Sequence, residues 1–307
     1  MKRKVIQLAH KTLVVSLPSK WARDYGVKKG AELEVEERGQ QIVFSTSKRT
    51  DSEGVQVDFS ELDTEVIRRW VLASLHKSGY DEIEILYKDS SLINVIQETI
   101  KEMLIGFAVI EQSKNRCVIR IVAEEQEKEF ETILRRAFLV TKNMGDGIYS
   151  YIEEGKLGAL NELLALEKTN NQLTNFCERI LNKKGYKNDK KTCFIYVIVW
   201  NLEKICDHYK DICKFLASSP KAKVSKPVLE MLKTANEYFN SYYELFYKFD
   251  INRLTELNKE KNAFRDKTSS LLRKSGYTDA VVLCSLNDFV TKTSDFSASF
   301  IALNMQD

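Results

Sequence analysis

Proline and glycine are scarce in this chain, 3 and 12 residues among 307. Proline breaks helices and glycine loosens them, so a body of long helices is expected. No run of 18 apolar residues occurs, which excludes a membrane-spanning helix and, with it, membrane insertion. The opening Met-Lys-Arg-Lys leads into alternating residues and not into an apolar stretch, so no signal peptide is expected. A P-loop, a GxGxxG turn, a nucleophile elbow and a Ser/His/Asp order are all missing, and the chain is read as a non-enzyme. The six cysteines (Cys117, Cys177, Cys193, Cys206, Cys213, Cys284) lack metal-type pairing. They sit mostly among apolar residues, as Cys284 does after Val281-Val282-Leu283, and read as reduced core thiols of a cytoplasmic protein.

Acid is missing from residues 1–23 altogether, while Lys2, Arg3, Lys4, Lys11, Lys20 and Arg23 all fall there. The whole chain is nearly balanced, with 47 Lys+Arg against 44 Asp+Glu. Basic charge is therefore concentrated at the N-terminus, and the rest has no bulk attraction for nucleic acid. Segment 3–17 carries Val, Ile and Leu at strand spacing around a polar break at His10-Lys11-Thr12. Pro18 stops the strand, Ser19 is placed to cap a short helix through Tyr25, and Gly26 ends it. Leu33, Val35, Ile42 and Val43 build two further strands around a turn at Arg38-Gly39. So small a β unit buries too little surface to stand alone, which implies dimerisation. Two copies set two basic faces side by side, the arrangement a two-fold site on duplex DNA requires.

Segment 46–58 is polar and reads as a linker. A helix at about 63–77 follows, with Val66, Trp70, Leu72 and Leu75 on one side. Strands at 82–87, 107–112 and 117–122 and a helix at 92–104 complete a small α/β subdomain, residues 59–123. Beyond it the apolar period becomes 3.6, with helices at about 125–154, 157–184, 187–217, 225–248, 251–274 and 277–303. Leu160-Asn-Glu-Leu163 is echoed by Ile251-Asn-Arg-Leu254, and Lys-Lys-Gly-Tyr186 by Lys-Ser-Gly-Tyr277. The echo implies two tandem three-helix bundles. The fold class is thus mainly α: a small N-terminal β domain (1–47), a short α/β insert (59–123) and a double three-helix bundle (125–304).

Glu203, Asp207 and Asp211 recur at steps of four, a stripe of carboxylates opposite the apolar face of Leu202, Ile205, Cys206, Tyr209, Ile212 and Cys213. Such a stripe suits a divalent or ferric ion shared with a neighbouring helix, and His208 stands beside it. It equally suits a solvated face, with Lys204, Lys210 and Lys214 pairing the acids. The second half offers only Asp295 in the matching place, with Thr291 where a partner acid would sit. His10 and His76 carry no pattern of their own.

The run Lys11-Thr-Leu-Val-Val-Ser-Leu-Pro18, with Lys20-Trp-Ala-Arg-Asp-Tyr-Gly-Val-Lys-Lys-Gly30 and Glu32-Leu-Glu-Val-Glu36, resembles an AbrB-type (SpoVT/AbrB) swapped-hairpin DNA-binding domain. It departs where many members carry an arginine before the proline, since Leu13 to Val15 are apolar and Lys11 is the nearest base. The helical body is similar to PhoU proteins. The similarity is carried by Asn201-Leu-Glu203-Lys-Ile-Cys-Asp207-His-Tyr-Lys-Asp-Ile-Cys213, which is set against that family's Glu-Arg-Ile-x-Asp-x-x-x-x-Ile signature. An AbrB-type head on a PhoU-like body resembles the PhoU-related regulators of archaea. The resemblance implies a DNA-binding transcription regulator in phosphate homeostasis, with DNA held by Lys2, Arg3, Lys4, Lys11, Lys20 and Arg23, and the body dimerising and sensing. It also implies metal held by acids of both repeats, of which Glu203 and Asp207 are present, while Asn170, Asn171, Asn258 and Thr291 stand at the other places. A PhoU-like adaptor acting on a phosphate transporter or signalling kinase is the alternative.

Overall fold

The computed structural model describes residues 2–8, 11–38, 41–46, 53–122 and 129–305. The chain forms two compact units, Met1–Glu53 and Gly54–Asp307. It is mainly helical, with small β-sheets toward the N-terminus and a helical body after them.

In the first unit β1 (Val5–Leu8) and β2 (Thr12–Val15) pair antiparallel, with Leu8 opposite Thr12 and Val5 opposite Val15. His10, in the expected polar break, lies outside the described residues. Helix α1 (Ser19–Asp24) starts one residue earlier than the sequence implies. Ser19 is inside the helix and is not its cap. Pro18 flanks it with extended backbone, and the Pro18 carbonyl accepts from the Ala22 N–H at 2.9 Å. Proline's fixed φ presets that entry, so no side-chain cap forms. Gly26 and Gly30 adopt φ of 62° and 85°, the left-handed region that favours glycine. Strands β3 (Leu33–Arg38) and β4 (Gln41–Thr46) form a second hairpin, whose turn residue Gly39 lies outside the described residues. Register places Leu33, Val35, Ile42 and Phe44 on one of its faces.

The second unit begins with β5 (Gly54–Asp58), α2 (Glu65–Lys77), β6 (Glu82–Leu86), α3 (Leu92–Met103), β7 (Phe107–Gln112) and β8 (Arg116–Ile121). Their sheet has the order β5-β6-β8-β7, with β5 parallel to β6 and the other pairs antiparallel. Part of the expected 46–58 linker is therefore a strand. Residues 47–52 lie outside the described residues, but Val55 and Val57 stand opposite Ile83 and Ile85. A period-two pair of valines beside an apolar strand outweighs their polar flanks. Thr64 caps α2 by accepting from the Ile67 N–H at 3.3 Å. Leu72, Ala73 and His76 are the buried residues of α2, while Val66 and Trp70 of its apolar side are exposed.

The helical body holds α4 (Phe130–Glu153), α5 (Leu164–Lys184), α6 (Thr192–Ala217), α7 (Lys226–Tyr247), α8 (Ile251–Leu272), α9 (Tyr277–Ser294) and α10 (Phe296–Asn304). Two expected helices start with tighter 3₁₀ turns, Leu157–Leu163 and Asp189–Lys191. The single helix expected at 277–303 is broken at Asp295. Thr293 and Ser294 hydroxyls donate to the carbonyls of Phe289 and Thr291 and compete with the helical ladder there. The echoed Gly-Tyr junctions differ in backbone, with φ of 74° at Gly185 and −71° at Gly276.

Helices α4, α5 and α6 pack on one another, as do α7, α8 and α9, and contacts of α6 with α9 and α4 with α7 join them around one hydrophobic core. The apolar face expected on α6 is buried throughout. Gly145 lets α4 approach α6 closely: a Cβ there would lie 2.6 Å from the Tyr209 hydroxyl oxygen. Cys117, Cys177, Cys206 and Cys213 are buried, whereas Cys193 and Cys284 are exposed. Cys284 is thus not the core thiol its apolar neighbours implied, because Val282 and Leu283 take the inward positions of that turn. Among the described residues no helix is long and apolar enough to cross a membrane.

Candidate nucleic-acid interface and acidic helix face

Lys2, Arg3, Lys4, Lys11, Lys20 and Arg23 are all exposed, as a phosphate-binding role requires. They do not form one cluster along the hairpin. Lys2 to Lys4 precede β1 at its open end, while Lys11 sits in the turn that joins β1 to β2. Four residues of strand at about 3.3 Å each separate those ends by about 13 Å. Lys20 and Arg23, three residues apart on α1, share one helix face. Apolar side chains around these bases are exposed too: Val5 is 64% and Leu13 is 68% accessible. No described residue of this unit is buried. Trp21 packs on Tyr25, with ring centres 5.6 Å apart.

The acidic face of α6 is occupied by lysines. Lys204 Nζ lies 2.8 Å from a Glu203 carboxylate oxygen and 3.6 Å from Asp207. Lys210 donates to Asp207 and, at 3.1 Å, to Glu167 on α5. Asn171 donates to the same Glu167 oxygen at 2.8 Å, and Asn170 donates to the Thr141 hydroxyl at 2.9 Å. Burial raises the Glu203 carboxyl above its usual range, against the pull of Lys204. Burial also lowers the His208 imidazole, and Asp288, Asp211 and Asp207 oppose that shift. Asp211 itself is exposed. Among the described residues no group of three or more His, Cys, Asp or Glu could hold a metal ion. Carboxylates already bonded to ammonium groups make a poor donor set for a hard cation. Glu203 and Asp207 thus stand in ion pairs with Lys204 and Lys210 along this helix face. In the second half Asp295 pairs with Lys292 at 3.0 Å, and Thr291 and Asn258 are exposed.

The most constrained polar groups were not singled out by sequence. They line the side of α5 that faces the α/β layer, while Leu173, Phe176, Cys177, Ile180 and Leu181 serve the helical core. Arg179 is fully buried. It donates to the carbonyls of His76 and Tyr80 at 3.0 and 2.7 Å and to Asp81 at 2.6 Å. Asn182 donates to the Lys77 carbonyl at 2.7 Å, and Asn175 to the Met103 carbonyl at 3.3 Å. Lys77 Nζ lies 3.3 Å from Glu178. Burial pushes the Glu178 carboxyl up to about 7, with Lys77 pulling the other way. Burial and the nearby Arg179 charge hold His76 down to about 3. The one signal in the sequence was charge (Glu178-Arg179) inside an otherwise apolar turn of α5.

No family model matches the chain, and no curated protein or solved structure matches it.

Proposed function

We propose that this chain is a DNA-binding transcription regulator linked to phosphate uptake or homeostasis. The hairpin unit docks on duplex DNA mainly through phosphates, and the helical body dimerises and senses. The observation that carries the reading is the set of six exposed bases in an acid-free stretch on a unit separate from the rest. Exposed bases of this kind supply the counterion release that drives non-specific DNA binding, even spread over both ends of the hairpin. The exposed apolar strands favour a second copy interleaved as a swapped hairpin, because a two-stranded sheet is marginal alone. The grouping of α4–α6 and α7–α9 is compatible with two tandem three-helix bundles, and the link to phosphate rests on the resemblance of the α6 sequence to PhoU proteins alone.

Fluorescence anisotropy of the full chain with random duplex DNA, from low to high salt, tests the reading. Tight binding that weakens steeply with salt is expected. Replacing all six bases with Ala is expected to abolish it. Salt-independent binding, or binding unchanged in that variant, would overturn the reading.

A further inference from the structure

The four-stranded sheet of the second unit ends in β5 on one side and in β7 on the other. An open strand edge invites pairing with another chain, and proteins usually blunt it. Strand β7 is blunted: its register with β8 slips between Val109 and Glu111, a bulge that bends the edge. Strand β5 pairs with β6 without a slip, and it holds no proline, lysine or arginine. The Phe59 N–H donates to the Leu86 carbonyl at 2.8 Å. In a parallel pair alternate residues bond the neighbour, so Val55 and Val57 bond β6 as Phe59 does. Gly54, Gln56 and Asp58 then turn their N–H and C=O groups to the open side. Among the described residues no strand pairs with that side. Val55 and Val57 pack on the apolar core of this layer and stay half-buried. On the opposite face Gln56 is exposed and donates to Glu84 at 2.8 Å. Glu84 also accepts from Arg116, and Arg116 donates to Glu111 at 2.6 Å. A ladder of polar bonds thus crosses all four strands, and its one neutral member, Gln56, stands at the open edge.

We propose that β5 pairs antiparallel with β5 of a second copy, about a two-fold axis at Gln56, and joins two four-stranded sheets into one. The strand is self-complementary in that register. Gln56 is one of the outward residues, so its N–H and C=O bond those of the second copy's Gln56, and Gly54 does the same with the second copy's Asp58. Val55 meets the second copy's Val57 on the apolar face, a β-branched pair that covers what each valine leaves open. On the other face the two Gln56 amides meet. An amide carries both donor and acceptor and pairs with itself, whereas a charged side chain there faces its own charge. Only a residue on the axis meets its own copy, and that is the place in the ladder without a charge. The whole match lies within one strand, which points to a second copy and not to a foreign strand. Pairing so short belongs to the weak end of interface sizes. The strand lies within Gly54–Asp307, so the inference goes beyond the DNA-binding reading and stands if that reading fails.

Hydrogen exchange and cysteine cross-linking of the full chain test the pairing. The Gln56 and Asp58 amides point away from β6, so an open edge leaves them at free-chain rates. At high micromolar protein they are expected to exchange about tenfold more slowly than that. Gln56→Pro removes an outward N–H and none of the bonds to β6, and proline is tolerated on an open edge. It is expected to return the Asp58 amide to the free-chain rate while the Val57 amide stays protected. Gln56→Glu, which sets two carboxylates face to face, is expected to do the same without any change of backbone. Cross-linking uses protein carrying Cys193→Ser and Cys284→Ser, because those two thiols are exposed. Gln56→Cys is there expected to give a disulfide-linked dimer on mild oxidation, since residues directly opposite lie about 5.5 Å apart. Gln112→Cys on β7 is the control and is expected to cross-link about tenfold more slowly. A hairpin dimer alone would leave the Gln56 and Asp58 amides unprotected. An edge covered by the chain itself would protect them without a covalent dimer. Either result, equal cross-linking of Gln56→Cys and Gln112→Cys, or Asp58 protection unchanged in both Gln56→Pro and Gln56→Glu would overturn the proposal.

Discussion

Replacing Arg179 with Met tests whether one buried guanidinium fastens the α/β layer to α5. Methionine keeps much of the volume and removes every polar contact. Asp81 loses a charged partner at 2.6 Å, and the carbonyls of His76 and Tyr80 lose their donors at 3.0 and 2.7 Å. Breaking a buried ion pair costs about 3–5 kcal/mol, because the remaining charge stays desolvated. Lys183 also reaches Asp81, whose side chain keeps 17% of its exposure, so the lower end, about 3 kcal/mol, is the figure to expect. The loss belongs to the α/β layer and not to the whole unit. Hydrogen exchange is the suitable assay, since local opening is read amide by amide. Amides of Ile83 and Ile85 on β6 are expected to exchange about a hundredfold faster, and those of Leu283 and Leu286 on α9 to stay unchanged. Arg179→Lys, which keeps the charge and loses the fork, is expected to show about half the free-energy loss. Adding Asp81→Asn to Arg179→Met is expected to restore part of it. A loss below about 1 kcal/mol, or one spread evenly over α9 as well, would refute the reasoning.

Three further outcomes follow from the same geometry. Gly145→Ala is expected to lower stability by about 1–2 kcal/mol in thermal melts. Overpacking against Tyr209 costs about 1–3 kcal/mol and outweighs the gain in helix propensity of about 1 kcal/mol. Glu178 ionises near 4.5 when unfolded and near 7 when folded, so its neutral form supports the fold below pH 4.5 and that support is lost as pH rises through about 7. Glu178→Gln is therefore expected to raise stability at pH 8 by at most about 3 kcal/mol and to leave it unchanged at pH 4, measured by urea unfolding. Lys11→Ala with Arg23→Ala is expected to weaken DNA binding at all sequences and to lower the logarithmic salt slope by about 1 per base removed, in anisotropy titrations.

Period and punctuation made much of the fold legible. Strand β6 and helix α3 alternate or repeat cleanly between turn residues, and their bounds match the reading to within one residue. Strand β5 escaped it because its two valines stand among polar residues and gain meaning only beside Ile83 and Ile85. The apolar side of α2 was legible, but not which of its members are buried, since the smaller Ala73 faces inward while Trp70 is exposed. The six N-terminal bases were visible as charge without acid, but register was needed to set Lys11 apart from Lys2 to Lys4. The α6 acids were legible as a stripe. That lysines of α6 hold them was one of two readings, and only the tertiary bond from Lys210 to Glu167 of α5 shows how far that pairing extends. Arg179 was invisible for a stronger reason, since its partners lie about a hundred positions away in sequence.

Lys77 ties the end of α2 to two helices of the body. Its carbonyl accepts from Asn182 of α5, its ammonium pairs with Glu178 of α5, and the same ammonium lies over Trp200 of α6. The main-chain bond holds the end of α2 whatever the charge on Glu178, while the ammonium is shared between a buried carboxylate and a half-exposed ring.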